Sequence, residues 1–267
     1  MTFSNLQQRL AARLGEGPGA LLYYSAANQG EALNEIQRLF VLLTLCLESI
    51  RTLILSPGNR FYHMLEWPDW LLPLRVSLSQ DTTAGQTALY DAVLYDTAMY
   101  NEEAYPGLVA STAPKLRPAS LAELSALNAA WLSATGNPER YGLLGLDLLF
   151  LDRAPIVPGT KLLITYARSP VAMSGDNDVP EIPEGDHLAL IDGAEVLLRL
   201  TEGGQELADA MPAFDRFLAA VKLRADDVRK RSVARGYDHS PPELTLPEFA
   251  GLLRKRSPKR MEGQDAG

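Results

Sequence analysis

The chain has 267 residues, of which 46% are hydrophobic, and it carries a net charge of −8 with one cysteine and three histidines. That length and apolar content suit one substantial core, or one core and a smaller second one. The lone cysteine, Cys46, excludes an internal disulfide framework, and the longest apolar run, Leu39 to Leu47, is far too short to cross a bilayer. Residues 1–14 are polar and do not resemble a signal peptide, so we expect assembly in a cytosol-like compartment.

The negative charge belongs to residues 1–253, because the C-terminal stretch is basic. Residues 254–267 contain two acidic groups, Glu262 and Asp265, against five basic ones: Arg254, Lys255, Arg256, Lys259 and Arg260. Affinity for duplex DNA depends mainly on the neutralisation of phosphates by lysine and arginine. An acidic body repels DNA, and we therefore expect no nucleic-acid binding by the folded part of the chain.

Two helices are predicted at the start of the chain. The first is capped at Ser4 and ends at the glycine-rich residues 15–19. The second begins after Ser25 and is expected to run to about Leu55, where residues 56–59 stop it. Its apolar side chains repeat every three or four residues, as a stripe that faces a core requires: Leu33, Ile36, Leu39, Phe40, Leu43, Leu47, Ile50 and Ile54.

After Asn59 the pattern changes to short, partly alternating runs that are typical of strands. Strands are predicted at Phe61 to Leu65, Leu72 to Ser79, Ala88 to Tyr95, Tyr141 to Leu151 and Lys161 to Ala167. A helix is predicted at Ser120 to Ser133. The last two strands are expected to pair with each other across the proline- and glycine-containing turn at residues 155–160.

Helical spacing returns at Asp186. One helix is predicted to end at Gly203-Gly204, and a second one follows, with basic residues in its last turns and Gly236 as its stop. The helices at the two ends of the chain are expected to pack together, because neither end could bury its apolar stripe alone. The predicted fold class is α+β, with a helical bundle of residues 1–59 and 186–237, a β-rich insertion of residues 60–185 and an extended C-terminal arm of residues 238–267.

The residues that could carry chemistry do not form a complete set. Asp176 and Asp178 lack the spacing and the terminal glutamate of a calcium loop, so a solvated loop is expected. Trp67 and Trp70 could stack on a sugar or a base, but two tryptophans at a proline turn more often pack against a strand. We therefore predict a non-enzymatic protein with no catalytic residues, no cofactor and no metal.

Three stretches resemble the head-to-tail connector proteins, or portal adaptors, of tailed bacteriophages. The first is Leu33 to Glu48, with an Asn-x-x-Gln motif on the first long helix. The second is Pro180 to Ala194, in which a proline and acidic residues precede His187, and the third is the basic-ended helix from Phe214 to Arg231. Between them, Trp131 and residues 136–141 and 162–170 are similar to the β part of the longer connector proteins.

The resemblance implies a structural virion protein. Connector proteins form a ring, commonly of twelve copies, that docks beneath the portal, joins the capsid to the tail and forms part of the DNA channel. The expected partners are the portal protein, tail or stopper and nozzle proteins, and other copies of the chain, with no membrane. Genomic DNA is expected to pass without specific binding, and the protein to be assembled in the host cytoplasm.

The resemblance also implies that the C-terminal arm inserts into or along the portal. The apolar residues Leu244, Leu246, Phe249, Leu252 and Leu253 could supply hydrophobic anchors. The basic residues that follow, Arg254, Lys255 and Arg256, could pair with an acidic portal surface.

Two alternatives remain open. One is a DNA-packaging accessory that binds nucleic acid through the basic C-terminus, which strong salt-dependent DNA affinity would indicate. The other is a hydrolase that uses His63 or His187 with Asp69 or Asp186. A deep pocket that holds one of these histidines beside an acid at hydrogen-bond distance would favour it.

Overall fold

The structure, a computed structural model, describes residues 1–16, 23–79, 114–202 and 204–243. The predicted strand at Ala88 to Tyr95 lies outside these residues. The described residues form two compact units: one holds those within 1–47, 168–235 and 240–243, and the other holds those within 48–167 and 236–239. Helices and strands occur together in the chain, which confirms the α+β class.

In chain order, the described helices and strands are α1 (Phe3–Arg13), α2 (Ala26–Thr44), β1 (Glu48–Ile54), β2 (Phe61–His63), β3 (Trp70–Ser79), β4 (Arg117–Pro118), α3 (Leu121–Leu127), β5 (Arg140–Leu144), β6 (Leu148–Leu151), β7 (Lys161–Arg168), α4 (His187–Glu202) and α5 (Gly204–Arg235). Short 3-10 helices occur at Met64–Glu66, Trp131–Ser133 and Glu184–Asp186. The predicted helix at Ser120 to Ser133 is thus a shorter helix followed by a 3-10 turn.

The helical unit is built on α4, which packs against α1, α2 and α5. Each of these helices buries one apolar face, and the fully buried side chains include Leu10, Phe40, Ile191 and Val221. Gly193 lies where three helices meet: a Cβ there would be 2.6 Å from Ile36 Cγ2 and 3.0 Å from Phe217 Cδ2. The absence of a side chain at this position allows α4 to lie close to both neighbouring helices.

An ion cluster connects α1, α4 and α5. The buried carboxylate of Asp192 accepts hydrogen bonds from Arg13 and from Arg216 Nε, the latter at 3.0 Å. The hydrogen bond that the Arg216 guanidinium donates to Asp192 raises the pKa of Arg216. Glu195, one turn later, lies 3.4 Å from Arg199 Nε. Because a buried carboxylate is stable only when it is paired, these contacts favour one register of the three helices.

The second helix ends earlier than its apolar stripe predicts. Leu45 adopts a left-handed conformation with φ of 51° and caps the helix, and its amide donates to Val41 O at 2.7 Å. The following residues form β1, so the prediction of one helix to Leu55 is wrong. Ile50 and Ile54, which the helical stripe placed in the core, are 41% and 63% exposed. The β-branched residues of this segment, spaced two apart, suit a strand and not a helix.

The strand-containing unit holds two sheets. One has the order β1-β7-β3 and the other the order β2-β6-β5-β4. Side chains from both sheets form one apolar core, which includes the fully buried residues Val76, Tyr141, Leu149, Ile164 and Tyr166. β1 pairs with β7 in antiparallel register from Glu48 opposite Ala167 to Ile54 opposite Lys161.

The predicted strand from Tyr141 to Leu151 is two strands. The chain reverses at Gly145, which has φ of +66°, and β5 then pairs antiparallel with β6, with Tyr141 opposite Leu151. The predicted pairing across residues 155–160 is wrong, because β6 and β7 belong to different sheets. A glycine such as Gly145 adopts a positive φ without steric strain and allows a tight turn. The chain therefore folds back directly after β5, and β6 becomes the partner of β5.

The loop after β7 packs on the helices. The side chain of Asn34 donates to Met173 O at 2.9 Å and accepts from Met173 N at 2.8 Å. The amide of Phe3 at the start of α1 donates to Asp178 O at 2.7 Å. Residues 168–185, which the sequence assigned to the β-rich insertion, thus lie in the helical unit, while residues 48–59 lie with the strands because β1 pairs with β7.

Candidate functional site

The residues proposed to bind the portal lie outside the described residues. They are Leu244, Leu246, Phe249, Leu252, Leu253, Arg254, Lys255 and Arg256. The structure does describe the segment that leads to them, from the end of α5 to Glu243. Gly236, with φ of +64°, ends the helix and turns the chain. We call residues 236–239 the arm root.

Asp238 is the centre of the arm root. Its carboxylate lies 2.7 Å from Lys115 Nζ, and it accepts a hydrogen bond of 3.0 Å from the hydroxyl of Tyr141. Its backbone amide donates to Leu74 O at 2.7 Å. The side chain is only 7% exposed. Asp238 is thus held by both its backbone and its side chain, against three separate parts of the strand-containing unit.

The neighbours of Asp238 add further contacts. The carbonyl of Gly236 accepts from Lys115 Nζ, and the hydroxyl of Tyr237 donates to Glu48 Oε2 at 2.7 Å. Burial and the adjacent Asp238 carboxylate raise the pKa of Tyr141 far above its ordinary value, so its hydroxyl remains a donor. The arm root is therefore an ordered part of this unit.

The residues after the arm root contact α5. The guanidinium of Arg229 donates to the carbonyl of Pro242 at 2.8 Å and to that of Pro241 at 3.4 Å. The same guanidinium is paired with Asp226. Two consecutive prolines also restrict the backbone, because each ring fixes φ near −65°. These contacts hold Pro241 and Pro242 against α5, close to the end of the described residues at Glu243.

The first histidine and acid of the hydrolase alternative do not form a pair. His63 is exposed at the end of β2. Asp69 instead accepts hydrogen bonds of 3.1 and 3.2 Å from the hydroxyl of Tyr166 and lies 3.3 Å from Arg51 Nη2. The tryptophans pack against a strand in this region, as the sequence predicts. The ring centroids of Trp67 and Trp70 lie 5.3 and 5.2 Å from the ring centroid of Tyr166 in β7.

The second pair of the hydrolase alternative, His187 and Asp186, is not formed either, because each side chain bonds to other groups. His187 is buried, with Nε2 at 3.1 Å from Ile182 O and Nδ1 at 3.0 Å from the amino nitrogen of Met1. The carboxylate of Asp186 accepts from Arg224 Nε at 2.7 Å. In the described part of the chain, neither of these two histidines has an acidic side chain at hydrogen-bond distance, so the histidine–acid pair of the hydrolase alternative is not formed there.

Burial lowers the pKa of His187 below its ordinary value of 6.5. The positive charge of the N-terminus acts in the same direction, while the Ile182 carbonyl, Glu184 and Asp186 oppose it. As the pH falls through 6.5, the unfolded chain takes up a proton at this position before the folded chain does. The free energy of unfolding therefore decreases as the pH falls below that value.

We expect the substitution His187→Gln to reduce this pH dependence. Glutamine retains a donor for the Ile182 carbonyl and does not titrate. The difference in free energy of unfolding between about pH 7 and about pH 5 should be smaller in the variant than in the wild type, as urea titrations followed by helical circular dichroism would show. The control is His63→Gln, which changes an exposed side chain. An equal pH dependence in the wild type and His187→Gln would contradict the prediction.

Two further features of the described residues bear on the predicted site. Asp178 accepts from the amides of Ser174 and Gly175, each at 2.7 Å, and these bonds lower the pKa of its carboxyl. Within residues 1–16, 23–79, 114–202 and 204–243, no group of histidine, cysteine and acidic side chains could hold a metal ion. No helix in that part of the chain is long and apolar enough to cross a membrane.

Sequence reasoning missed the arm root. Asp238, Lys115 and Tyr141 are far apart in the chain, and none of them belongs to a motif. The only local signal was the position of Asp238 directly after the helix stop at Gly236, in a segment that was assigned as a whole to an extended arm. Their convergence depends on the two sheets, which bring β3, β5 and the residues before β4 together.

Comparison with known proteins identifies the family. A family model described as SU10 adaptor protein matches residues 1–237. No curated protein matches the chain. The matched range covers nearly all described residues of both compact units and ends within the arm root. The connector resemblance of the sequence points to the same class of phage structural protein. The chain therefore belongs to the SU10 adaptor protein family, whose members are structural adaptor proteins of the phage virion.

Proposed function

We propose that the protein forms a ring of twelve copies beneath the portal. The ring joins the capsid to the tail and lines part of the DNA channel. Its partners in this proposal are the portal protein, tail or stopper and nozzle proteins, and further copies of the chain. The ring is assembled in the host cytoplasm. The observation that carries the proposal is the family match over residues 1–237.

The distribution of charge supports a channel role. The whole chain has a net charge of −8, and residues 254–267 carry five basic and two acidic groups, so residues 1–253 are more acidic than the chain as a whole. A surface that does not neutralise phosphates does not grip duplex DNA, and it would let the genome slide past. A cluster of five basic residues lies instead in the proposed arm, at residues 254–260, where it would face an acidic portal surface.

The oligomeric state tests the proposal. We expect the protein either to form a high-order ring alone or to be a monomer that becomes a ring when the portal of its phage is added. Light scattering with and without portal measures the mass, and electron microscopy of the complex shows whether the symmetry is cyclic. A protein that stays monomeric in the presence of portal would contradict the proposed ring.

The same preparation distinguishes the DNA-packaging alternative. If the protein acts on nucleic acid through its basic end, it binds duplex DNA with a strong dependence on salt, and removal of residues 254–260 abolishes that binding. The adaptor proposal expects weak DNA binding that does not depend on these residues. DNA binding that is tight and is lost on their removal would favour the packaging role.

A further inference from the structure

The helical unit has an open groove between α2 and α4. Apolar side chains from both helices line it, among them Ala32 and Leu197, and Glu31 and Glu35 lie on its α2 side. Tyr23, directly before α2, also lines the groove and is 75% exposed. Both glutamates are exposed as well. An exposed apolar surface edged by charged residues is typical of a protein-interaction site.

The C-terminal half of α5 has an exposed face of apolar and basic side chains. Leu223 and Val233 are 74% and 76% exposed, and Lys230 is exposed between them. Side chains three, four or seven residues apart lie on the same side of a helix. The acidic residue on this side, Asp227, is already paired with two arginines of α5. Because Lys222 is exposed too, the face is positively charged.

The groove and the α5 face lie at opposite ends of the hairpin that α4 and α5 form. The two helices are antiparallel: Arg199 donates to Glu206 near the turn, whereas Asp186, directly before α4, accepts from Arg224 at the far end. Arg224 lies about 27 Å further along α5 than Glu206, at 1.5 Å per residue. The groove lies near the turn, because its α4 residues directly precede Arg199. One copy therefore cannot cover its groove with its own α5 face.

We propose that the α5 face of one copy binds in the groove between α2 and α4 of the next copy. In this contact, Leu223 covers the apolar wall of the groove and Lys230 lies beside Glu31. The opposite charges favour a second copy as the occupant, because every copy has both surfaces. The surfaces differ, so the contact is head-to-tail, and such contacts close into a ring when the rotation between copies fits. The inference rests on the proposed ring and names the residues that join its copies.

Charge reversal tests this contact in the full-length protein, with purified portal present if the wild type needs it to assemble. Glu31→Lys and Lys230→Glu each bring like charges together. We expect each variant to need at least about tenfold more protein than the wild type to form the ring, as measured by light scattering. An equimolar mixture of the two variants should form the ring at nearly the wild-type concentration, because alternating copies have opposite charges at every contact. A misfolded variant would not recover in this way.

The apolar part of the contact is tested by Leu223→Asp. The new carboxylate would face the apolar wall and the acidic side of the groove, so this variant should not form the ring at concentrations where the wild type is fully assembled. The matched control is Leu65→Asp, because Leu65 is equally exposed, at 72%, and belongs to neither surface. It should assemble as the wild type does. Circular dichroism should show the same helix content in both variants, since each changes an exposed side chain.

The outcomes separate this inference from the proposed function. A wild type that stays monomeric with portal contradicts the ring, and the contact with it. If the wild type forms a ring and both charge-reversed variants form it equally well, other surfaces join the copies. If both variants lose the ring and their mixture does not regain it, Glu31 and Lys230 do not face each other. Either of the last two results overturns the inference and leaves the proposed ring standing.

Discussion

Replacement of Gly142 by alanine is expected to lower the free energy of unfolding of the strand-containing unit by about 3 kcal/mol or more. Gly142 lies in β5 opposite Phe150 of β6. A Cβ at this position would be 2.2 Å from the backbone oxygen of Ala119 and 2.3 Å from Phe150 Cζ. The backbone of Ala119 is held next to β5 by the hydrogen bond from Ala119 N to Tyr141 O, and the Phe150 ring is fully buried.

Tryptophan fluorescence during urea denaturation measures this effect. The three tryptophans of the chain, Trp67, Trp70 and Trp131, all lie in the strand-containing unit. The fluorescence transition therefore follows that unit alone. The control is Gly185→Ala in the helical unit, where the position has open space around it and an ordinary backbone conformation, and helical circular dichroism follows its unfolding. An unchanged urea midpoint in Gly142→Ala would show that β5 and its neighbours can move apart, contrary to the packing described above.

Removal of residues 244–267 is expected to leave a folded protein that has lost at least about a hundredfold in affinity for the portal. The cut falls after Glu243, so the contacts of Arg229 with Pro241 and Pro242 and the whole arm root are retained. The deleted residues contain the apolar anchors and the basic cluster proposed to bind the portal. Binding of purified portal, measured by surface plasmon resonance, checks the prediction.

A second truncation distinguishes the two parts of the arm. Removal of residues 254–267 alone deletes the basic cluster and keeps Leu244 to Leu253. If the apolar residues are the anchors, this variant keeps most of the affinity at high salt and loses affinity mainly at low salt, where charge pairing is strongest. Portal affinity that is unchanged after the longer deletion would rule out the arm as the portal-binding element.

The helices could be predicted because their signals are local. The sequence signals are the apolar stripes from residue 187 onward, the expected helix end at Gly203-Gly204 and the stop at Gly236. All of them are properties of neighbouring residues, and the structure has α4 end at Glu202 and α5 end at Arg235. The end of α2 could not be predicted in this way. Residues 48–54 carry isoleucines that continue the helical spacing and β-branched residues two apart that suit a strand, and the pairing with β7 favours the strand.

The candidate site likewise has one part that the sequence predicts and one part that only the fold brings together. The composition of residues 244–256 indicates an apolar and basic arm, because hydrophobicity and charge are read directly from the residue types. The contacts of the arm root involve Asp238, Lys115 and Tyr141, which come together only when β3, β5 and the residues before β4 are in place. No spacing rule connects residues so far apart in the chain.

The sequence alone determined the α+β class, the helices at both ends of the chain and the resemblance to phage connector proteins, because these follow from periodicity, capping residues and composition. The tertiary structure decided which strands pair, where the two compact units divide and how the arm root is held. Those features depend on hydrogen bonds, buried charge and close packing between residues that are distant in the chain. These interactions form only when the chain folds, so local sequence patterns do not predict them.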